Sequence, residues 1–448
     1  MQTNEPRDGF GSKLGAIFAL AGSAVGLGNI WKFPYEAGTN GGAAFLFIYL
    51  GFTVLIGLPV MLAEFSIGRR SQRNPFGAFK LLAPGTGWKN FGFLSIITAV
   101  IILAFYGTVA GWTLEYVIEA FNNSFHAKST AEITEQYHNF IANPYKPVIY
   151  QVIFMCFTGA IILAGVKKGI EKYTKLMMPL LFILIIALGI RAVTLEGASE
   201  GLKFLFAPDF SKITGSTILS ALGQAFFSLS VGMGVLLTYA SYIGKKESLT
   251  SISIQVIIAD TLIAILAGIA IFPAVFAFGI DPSSGPGLVF ITLPNVFQHM
   301  PGGYIWGIIF FILLSVAALT SSISLLEVIV AYLTEEKGIK RVKATVITTL
   351  GITAVGVLCT LSYGPLKELT LFGKTTFGIF DFLSSKLLLP LGGIIIAIFV
   401  GWKMKKKDVH AEISNEGKIK LSMFNIFYFI VKYIAPIGII AIFIHELL

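Results

Sequence analysis

Residues 22–29 read GSAVGLGN and residues 228–234 read SLSVGMG. Each stretch lies inside a long apolar segment and contains a small residue, valine, glycine, an apolar residue and glycine in that order. Glycine lowers helix stability by roughly 1 kcal/mol per residue relative to alanine, so both stretches are weak points of their helices. Small residues in a membrane helix also allow neighbouring helices to pack closely, which is the alternative explanation of these stretches. Two matched stretches, with Asn29 and two serines attached, favour two broken helices instead.

The composition predicts an all-α integral membrane protein. Of the 448 residues, 55% are hydrophobic and 13% charged, and the mean hydropathy is +0.81. Soluble domains keep about a quarter of their residues charged. Apolar runs of roughly 20 residues, enough to cross a hydrocarbon core, recur along the chain. We predict eleven transmembrane helices, near residues 11–36, 41–70, 88–121, 147–165, 169–192, 215–243, 249–279, 303–335, 341–361, 375–401 and 421–446.

The positions of the two broken helices predict how the chain is organised. They would be the first and sixth helices, five spans apart, which indicates two inverted repeats around a site near the middle of the membrane. We predict a single transporter domain over residues 1–448. Within it, residues 11–192 form the first inverted repeat, residues 215–401 form the second, and residues 421–446 form an additional helix.

The formal net charge of +9 raises the question of a nucleic-acid partner. The basic residues concentrate in every second loop, which is the positive-inside pattern of membrane proteins. The charge therefore indicates topology and no nucleic-acid partner. We expect a multi-pass protein of the cell inner (plasma) membrane with a cytoplasmic N-terminus and an extracytoplasmic C-terminus. The basic loop residues are Arg69, Arg70, Arg73, Lys80, Lys167, Lys168, Lys172, Lys245, Lys246, Lys337, Lys340, Arg341, Lys343, Lys403, Lys405, Lys406 and Lys407.

Two connections are predicted to lie outside. The segment 122–146 is long and polar, and the segment from Asp281 to Gly303 contains four prolines. Proline removes a helical hydrogen bond and clashes with the preceding turn. The second connection should therefore hold only short helical pieces.

Broken helices suit a zwitterionic substrate. A break leaves backbone carbonyls and amides unpaired inside the membrane, where each one is costly. The positive end of a half-helix suits a carboxylate, and free carbonyls suit Na⁺. Polar residues in other spans, such as Asp260 in a strongly apolar context, mark further functional positions. The pattern favours an amino acid over a sugar.

These residues resemble the neurotransmitter:sodium symporter family (sodium- and chloride-dependent neurotransmitter transporters), especially its bacterial eleven-helix amino-acid transporters. The resemblance runs from about Gly11 to the last span. It implies the leucine-transporter fold, with two inverted five-helix repeats and broken helices 1 and 6, and sodium-driven uptake by alternating access. The stretches that carry it are GSAVGLGNIWKFP at 22–34, KGIEK at 168–172, QAFFSLS at 224–230, TYASY at 238–242 and LTSS at 319–322.

The resemblance implies two sodium sites. The first takes the carbonyl of Ala24, the side chains of Asn29, Ser228 and Asp260, and the substrate carboxylate. The second takes the carbonyls of Gly22, Val25 and Ala317 and the hydroxyls of Thr320 and Ser321. Because the substrate carboxylate belongs to the first site, each ligand strengthens the binding of the other.

The resemblance also implies the substrate site. Its residues are Ser23, Leu27, Gly28, Ile102, Tyr106, Phe227, Ser230, Met233, Ser321 and Leu325. Tyr106 would donate its hydroxyl to the substrate carboxylate. Gly26 stands where the family's monoamine transporters carry an aspartate, which favours an α-amino acid. Met233 brings a flexible thioether to the pocket. We expect a hydrophobic or aromatic L-amino acid such as tryptophan, tyrosine, phenylalanine or leucine.

Chloride-dependent relatives place the anion near the positions of Tyr49, Gln224, Ser228 and Ala264. Asp260 stands beside the first sodium site, where its carboxylate can replace the charge of chloride. We therefore predict transport that is independent of chloride.

Two gates are implied by the same comparison. The outer gate would pair Lys32 with Asp381. Relatives usually have arginine at the position of Lys32. Lysine keeps the charge but loses the bidentate fork. The inner gate would pair Arg7 with Glu335, supported by Tyr242.

Two alternatives compete with sodium symport. The first is a proton-coupled or exchange-type amino-acid transporter of the same fold, which sodium dependence would distinguish. The second is an intramembrane enzyme, but the chain has no HExxH, GxSxG or Walker motif. We expect no enzyme activity, no cofactor besides two coupled sodium ions, and the lipid bilayer and an amino acid as partners. No obligatory protein partner is evident.

Overall fold

The computed structural model describes residues 9–283, 287–298 and 301–447. Those residues form helices and connections, and their only strand-like pairing is a bridge between Leu371 and Lys374. Within these described ranges, ten helices are long and apolar enough to cross a membrane. Their bounds are Lys13–Thr39 (span 1), Ala43–Ser71 (span 2), Lys89–Phe121 (span 3), Lys146–Leu163 (span 4), Val166–Val193 (span 5), Leu249–Ala277 (span 7), Gly303–Glu335 (span 8), Arg341–Leu361 (span 9), Thr376–Lys403 (span 10) and Phe424–Ile444 (span 11).

The one predicted span missing from this set is span 6, predicted at 215–243. In the described residues it is divided into two shorter helices, Gly215–Ser228 and Val235–Ala240. Between them the backbone takes positive φ angles at Ser230 (57°), Gly232 (83°) and Gly234 (79°). Glycine adopts such angles without a steric penalty, while a serine there is strained. The break predicted from the glycines is confirmed.

Span 1 is interrupted at the other predicted stretch. Its first helix, Lys13–Ala24, ends at Val25, whose ψ of 102° is extended. The chain then forms a π-helical turn over Gly28–Lys32, which continues into a second α-helix, Phe33–Thr39. Both broken helices therefore lie five spans apart, as the sequence indicated.

The burial of the spans separates the centre of the bundle from its rim. In the most apolar window of each span, 83% of residues are buried in span 1 but only 22% in span 11. Span 1 is therefore enclosed by other helices, whereas span 11 lies at the periphery with most of its surface available to lipid.

The outer connections contain more helix than the sequence indicated. The segment 122–146 includes the helix Thr130–Ala142, which begins with a capping box formed by Ser129 and Glu132. Its buried residues follow helical spacing, so it lies flat against the bundle. The proline-rich segment includes the short buried helix Leu288–Gln298, which agrees with the prediction of helical pieces.

The connection between spans 10 and 11, residues 404–423, is here called the strap. It contains the helix Lys406–Ile413, whose residue Glu412 is buried. Arg69, at the end of span 2, is only 1% exposed and donates from Nε to Glu412 Oε1 at 2.5 Å. Its other nitrogens donate to the carbonyl of Glu247 (2.5 Å) and to Asn415 Oδ1 (2.9 Å). Arg69, which the sequence analysis counted as a loop cation, joins the strap to span 2 and to the chain after span 6.

Replacing Arg69 with methionine should lower the free energy of unfolding by about 3–5 kcal/mol, because the buried Glu412 carboxylate loses its partner. Titration with sodium dodecyl sulfate in dodecylmaltoside micelles, followed by circular dichroism, measures the change. The matched control is Lys80→Met, since Lys80 is 60% exposed in its 3.0 Å pair with Glu336 and such pairs contribute at most about 1 kcal/mol. Equal stability of the two variants would contradict a structural role for Arg69.

Candidate functional site

Asn29, Ser228 and Asp260 meet in one buried cluster, although they belong to spans 1, 6 and 7. Asn29 Nδ2 donates to Asp260 Oδ1 at 2.8 Å and to Ser228 Oγ at 3.0 Å. Ser228 Oγ donates to Asp260 Oδ1 at 2.6 Å. None of the three residues is more than 1% exposed. A buried carboxylate is unfavourable unless polar groups or a cation compensate its charge, so the cluster favours a cation beside the break of span 1.

Tyr49 is a further member of this cluster. Its hydroxyl donates to Asp260 Oδ2 at 3.1 Å and lies 3.4 Å from Ser228 Oγ. The sequence analysis placed Tyr49 only near a possible chloride position. Gln224 Nε2 donates to the carbonyl of Gly28 at 2.7 Å and so joins the broken parts of spans 6 and 1.

A second group of oxygen atoms lies where span 8 faces the break in span 1. Thr320 Oγ1 lies 2.9 Å from the carbonyl oxygen of Ala317 and 3.5 Å from that of Val25. Gly22 packs directly on this threonine, because a Cβ atom added at Gly22 would lie 3.4 Å from Thr320 Cβ. Ser321 follows Thr320 in span 8, and its hydroxyl donates to the carbonyl of Ser23 at 3.3 Å, in the same stretch of span 1. The structure thus brings together all five residues predicted for the second sodium site.

A small cavity lies between the two breaks and spans 3 and 8. Nine of the ten predicted substrate residues line it, and the tenth, Leu27, donates its amide to the hydroxyl of Tyr106 at 3.3 Å. Ser324 also lines the cavity and was not predicted. It lies one helical turn after Ser321, and this spacing was the available signal. The lining residues are Ser23, Ala24, Gly28, Ile102, Tyr106, Phe227, Ser230, Met233, Ser321, Ser324 and Leu325.

The walls of this cavity are nearly in contact. Its volume is about 20 Å³, space for about one water molecule. Ser23 Oγ donates to Ser230 Oγ at 3.1 Å, and Ser230 Oγ also contacts the carbonyl of Ser23 at 3.0 Å. These bonds join the two breaks directly. A ligand larger than a water molecule therefore does not fit in the cavity of this structure.

Lys32 and Asp381 form the predicted ion pair above the cavity. Lys32 is 1% exposed and Asp381 is 25% exposed, and Lys32 Nζ also donates to Ser385 Oγ at 2.9 Å. The same nitrogen lies 4.7 Å from the ring centroid of Phe227, a wall of the cavity. The pair thus covers one side of the cavity.

The opposite side is described in part. Arg7 lies outside the described residues. Glu335 Oε2 accepts bonds from the backbone and side-chain nitrogens of Asn74, both at 2.8 Å. The hydroxyl of Tyr242 donates to Glu327 Oε1 at 2.8 Å, and the carbonyl of Tyr242 accepts the amide of Phe10 at 3.2 Å.

Glu327 and Arg341 form an ion pair that the sequence analysis missed. Both oxygens of the fully buried Glu327 accept from the guanidinium, at 3.0 and 2.6 Å. The available signal was an acid inside span 8, followed by a basic residue at the start of span 9. This bidentate pair joins spans 8 and 9 next to Tyr242.

The donor atoms at the two breaks differ from those of the usual transition-metal centre. Within the described residues, no group of three or more His, Cys, Asp or Glu side chains could hold a metal ion. The atoms that converge on the two breaks are mostly carbonyl, hydroxyl and amide oxygens, with a single carboxylate at Asp260. Such oxygens suit a hard cation.

Comparison with known proteins agrees with this architecture. The profile of the sodium:neurotransmitter symporter family matches residues 7–144 and 139–448. The chain is 41% identical over 434 residues to the uncharacterized sodium-dependent transporter YhdH of Bacillus subtilis, which covers 97% of this chain and 96% of the relative. It is 40% identical over 456 residues to an uncharacterized sodium-dependent transporter of Haemophilus influenzae, covering 99% of each. The crystal structure of MhsT in complex with L-phenylalanine matches with a TM-score of 0.95 and 46% identity, covering 98% of this chain and 100% of MhsT.

A bundle of membrane helices with two broken spans at one buried cavity defines a multi-pass membrane transporter, which is not an enzyme. The chain belongs to the sodium:neurotransmitter symporter family, and its activity is sodium-coupled transport. The family and fold implied by the sequence resemblance are confirmed.

Proposed function

We propose that this protein couples the inward movement of Na⁺ to the uptake of a hydrophobic or aromatic L-amino acid. The observation that carries the proposal is the cavity between the two breaks, whose walls combine Ile102, Phe227, Met233 and Leu325 with a few polar atoms. Apolar walls with a few polar groups are typical of sites for small hydrophobic ligands. MhsT, which is 46% identical, was crystallised with L-phenylalanine.

Two sodium ions are proposed, one at each oxygen group. The first would bind among the carbonyl of Ala24 and the side chains of Asn29, Ser228 and Asp260, together with the substrate carboxylate. The second would bind between spans 1 and 8, at the carbonyls of Gly22, Val25 and Ala317 and the hydroxyls of Thr320 and Ser321. The second ion would hold span 1 against span 8, so that its departure releases the inner half of span 1.

The amino acid backbone would lie at the breaks. Its carboxylate would accept from the hydroxyl of Tyr106 and from amides near Leu27 and Gly28, and its ammonium group would meet carbonyls near Phe227. The Ser23–Ser230 bonds would open to admit it. Its side chain would lie among the apolar walls of the cavity, beside Met233. Ser321 would serve both the second ion and the pocket.

We also propose that no chloride is required. The carboxylate of Asp260 already lies among the groups that relatives use near chloride, since it accepts from Tyr49 and Ser228. A second anion next to it would meet a like charge in a buried setting, which is unfavourable.

The membrane arrangement completes the proposal. The protein would lie in the plasma membrane with its N-terminus inside, with residues 11–192 and 215–401 as inverted repeats and residues 421–446 as an added helix. Lys32 and Asp381 would close the outer path, while Arg7, Glu335 and Tyr242 would close the inner path. No obligatory protein partner is proposed.

Uptake of radiolabelled amino acids into proteoliposomes tests the function. With an inward Na⁺ gradient, we expect accumulation of one or more of tryptophan, tyrosine, phenylalanine and leucine. A K⁺ gradient of equal size should give none. Uptake should persist when sodium gluconate replaces sodium chloride.

The possible failures have distinct meanings. Accumulation driven equally by K⁺, or by a proton gradient alone, would contradict the two sodium sites and favour the proton-coupled alternative. Loss of uptake in gluconate would contradict only the chloride proposal. Sodium-driven uptake of polar amino acids alone would contradict the assigned pocket.

A further inference from the structure

Lys432 is a cation on the peripheral helix of the bundle. It lies in span 11, eight residues after Phe424, where the span begins. Its Nζ lies 4.8 Å from the ring centroid of Trp402 and 5.3 Å from that of Tyr433. Among the described residues it makes no ion pair with a carboxylate. A lysine this far inside a span, on a helix that faces lipid, requires an anionic partner or a route to the headgroup region.

Trp402 fixes the position of this lysine relative to the membrane surface. The tryptophan is 61% exposed, at the end of span 10, and its indole nitrogen donates to the carbonyl of Lys432 at 2.9 Å. The ring of Tyr433 packs edge-on against it at 5.7 Å. Exposed tryptophan and tyrosine side chains at the ends of spans lie at the level of the lipid headgroups. The amine of Lys432 is therefore held at the same level.

The two spans cross closely at this point. A Cβ atom added at Gly401 would lie 2.7 Å from Lys432 Cα, and the hydroxyl of Tyr428 donates to the carbonyl of Gly401 at 3.0 Å. This contact fixes the lysine backbone against span 10. The packing of the helix pair consequently fixes the backbone of Lys432 and the base of its side chain.

The adjoining strap adds positive charge on the same side of the membrane. Its acids are largely engaged, because Glu412 pairs with Arg69 and Asp408 pairs with Arg70 at 3.2 Å. Its lysines, by contrast, are exposed, and the amine of Lys406 donates to Asn425 Oδ1 at 3.0 Å. The exposed lysines in and next to the strap are Lys403, Lys405, Lys406, Lys407, Lys418 and Lys420.

We propose that Lys432, Trp402 and the strap lysines form a binding site for the headgroup phosphate of an anionic phospholipid. The positive-inside pattern accounts for the strap lysines, but it does not explain a lysine that aromatic rings of spans 10 and 11 hold at the headgroup level and that has no carboxylate partner among the described residues. A phosphate at the headgroup level supplies the missing negative charge. Phosphatidylcholine carries a choline cation beside its phosphate, so its attraction to the lysines is weaker. Phosphatidylglycerol keeps a net negative charge and is attracted more strongly. This site depends on the membrane placement alone, and not on the proposed substrate or ions.

Quenching of Trp402 fluorescence tests the site. The protein is reconstituted in phosphatidylcholine vesicles that contain increasing amounts of either brominated phosphatidylglycerol or brominated phosphatidylcholine. The Trp402→Phe variant supplies the signal of the other tryptophans, which is subtracted. Wild-type protein should show at least about a fivefold preference for phosphatidylglycerol at Trp402, the effect of about one lysine near an anionic surface.

Three lysine variants distinguish the site from general attraction. Lys432→Gln should remove most of the preference, because the indole of Trp402 keeps its hydrogen bond to the backbone carbonyl of residue 432 and its contact with Tyr433. The double variant Lys405→Gln/Lys407→Gln should reduce the preference for phosphatidylglycerol in part. Added salt should weaken the contribution of these two exposed lysines in the wild type. The matched control is Lys374→Gln, since Lys374 lies near the opposite end of span 10, with its Nζ 5.2 Å from the ring of Phe382. This control should keep the wild-type preference.

Two results would overturn the proposal. Equal quenching by the two brominated lipids in the wild type would show that no anionic headgroup binds at Trp402. An unchanged preference in Lys432→Gln, lost only in the strap variant, would show diffuse attraction to the strap and no site at span 11. Neither result bears on sodium-driven uptake, which is measured separately.

Discussion

Replacing Asp260 with asparagine should raise the Na⁺ concentration needed for half-maximal uptake in chloride-free medium by at least about 100-fold. Three donor groups, from Asn29, Ser228 and Tyr49, point at the Asp260 carboxylate. An asparagine amide would place a new donor among them and would remove the only negative charge of the cluster. Loss of one partner of a buried charge costs about 3–5 kcal/mol, and each 1.4 kcal/mol or so corresponds to a factor of ten.

The measurement is uptake as a function of Na⁺ concentration in sodium gluconate. A control variant, Asp281→Asn, removes an exposed acid of the connection after span 7, whose carboxylate accepts from Ser283, and it should behave as wild type. If the carboxylate does replace chloride, sodium chloride should restore part of the uptake of Asp260→Asn. Wild-type Na⁺ dependence of this variant in gluconate would contradict the first sodium site.

Replacing Gly26 with alanine should lower uptake about 10- to 100-fold while the protein still folds. A Cβ atom at this position would overlap Ser321 Oγ and would lie 3.2 Å from the carbonyl of Ala317. Spans 1 and 8 would have to separate, and overpacking of this kind costs about 1–3 kcal/mol. The separation would fall between the residues assigned to the second sodium site.

Gly51 supplies the matched control, because a Cβ atom added there, in the middle of span 2, meets nothing within 4 Å. Gly51→Ala should transport as wild type. Circular dichroism and size-exclusion chromatography establish that both variants are folded. Uptake and Na⁺ affinity of Gly26→Ala equal to those of Gly51→Ala would show that close contact between spans 1 and 8 is not required.

Together the two variants separate the proposed ion sites. The Asp260 substitution acts on charge beside the first site, and the Gly26 substitution acts on packing at the second. We therefore expect only the Asp260→Asn variant to respond to chloride. A chloride response of both variants would indicate a shared indirect effect on the bundle.

The spans could be predicted from the sequence nearly to their ends. Span 3 was predicted at 88–121 and runs from Lys89 to Phe121. Such agreement is expected because a membrane helix is specified locally, by the length of its apolar run and by the polar residues at its ends. The breaks were also local, since the glycines themselves weaken the helix. The helix Thr130–Ala142 was missed because the polar composition of its segment pointed to a loop.

Contacts between residues distant in sequence could not be predicted from local patterns. Asn29, Ser228 and Asp260 were grouped through the family resemblance, and the structure brings them together. Nothing in the chain placed Tyr49 on Asp260 or Arg69 on Glu412. Both partners of each pair lie in different spans or loops, more than 200 residues apart.

The sequence by itself therefore determined that this protein is a membrane bundle, where its helices run, where two of them break, and to which family it belongs. Only the tertiary structure decided which side chains meet, how little space remains between Ser23 and Ser230, and that Trp402 bonds to the backbone of Lys432. The physical reason is the range of the forces. Apolar length and glycine content act within one helix, whereas burial, hydrogen bonding and ion pairing depend on how helices distant in sequence pack.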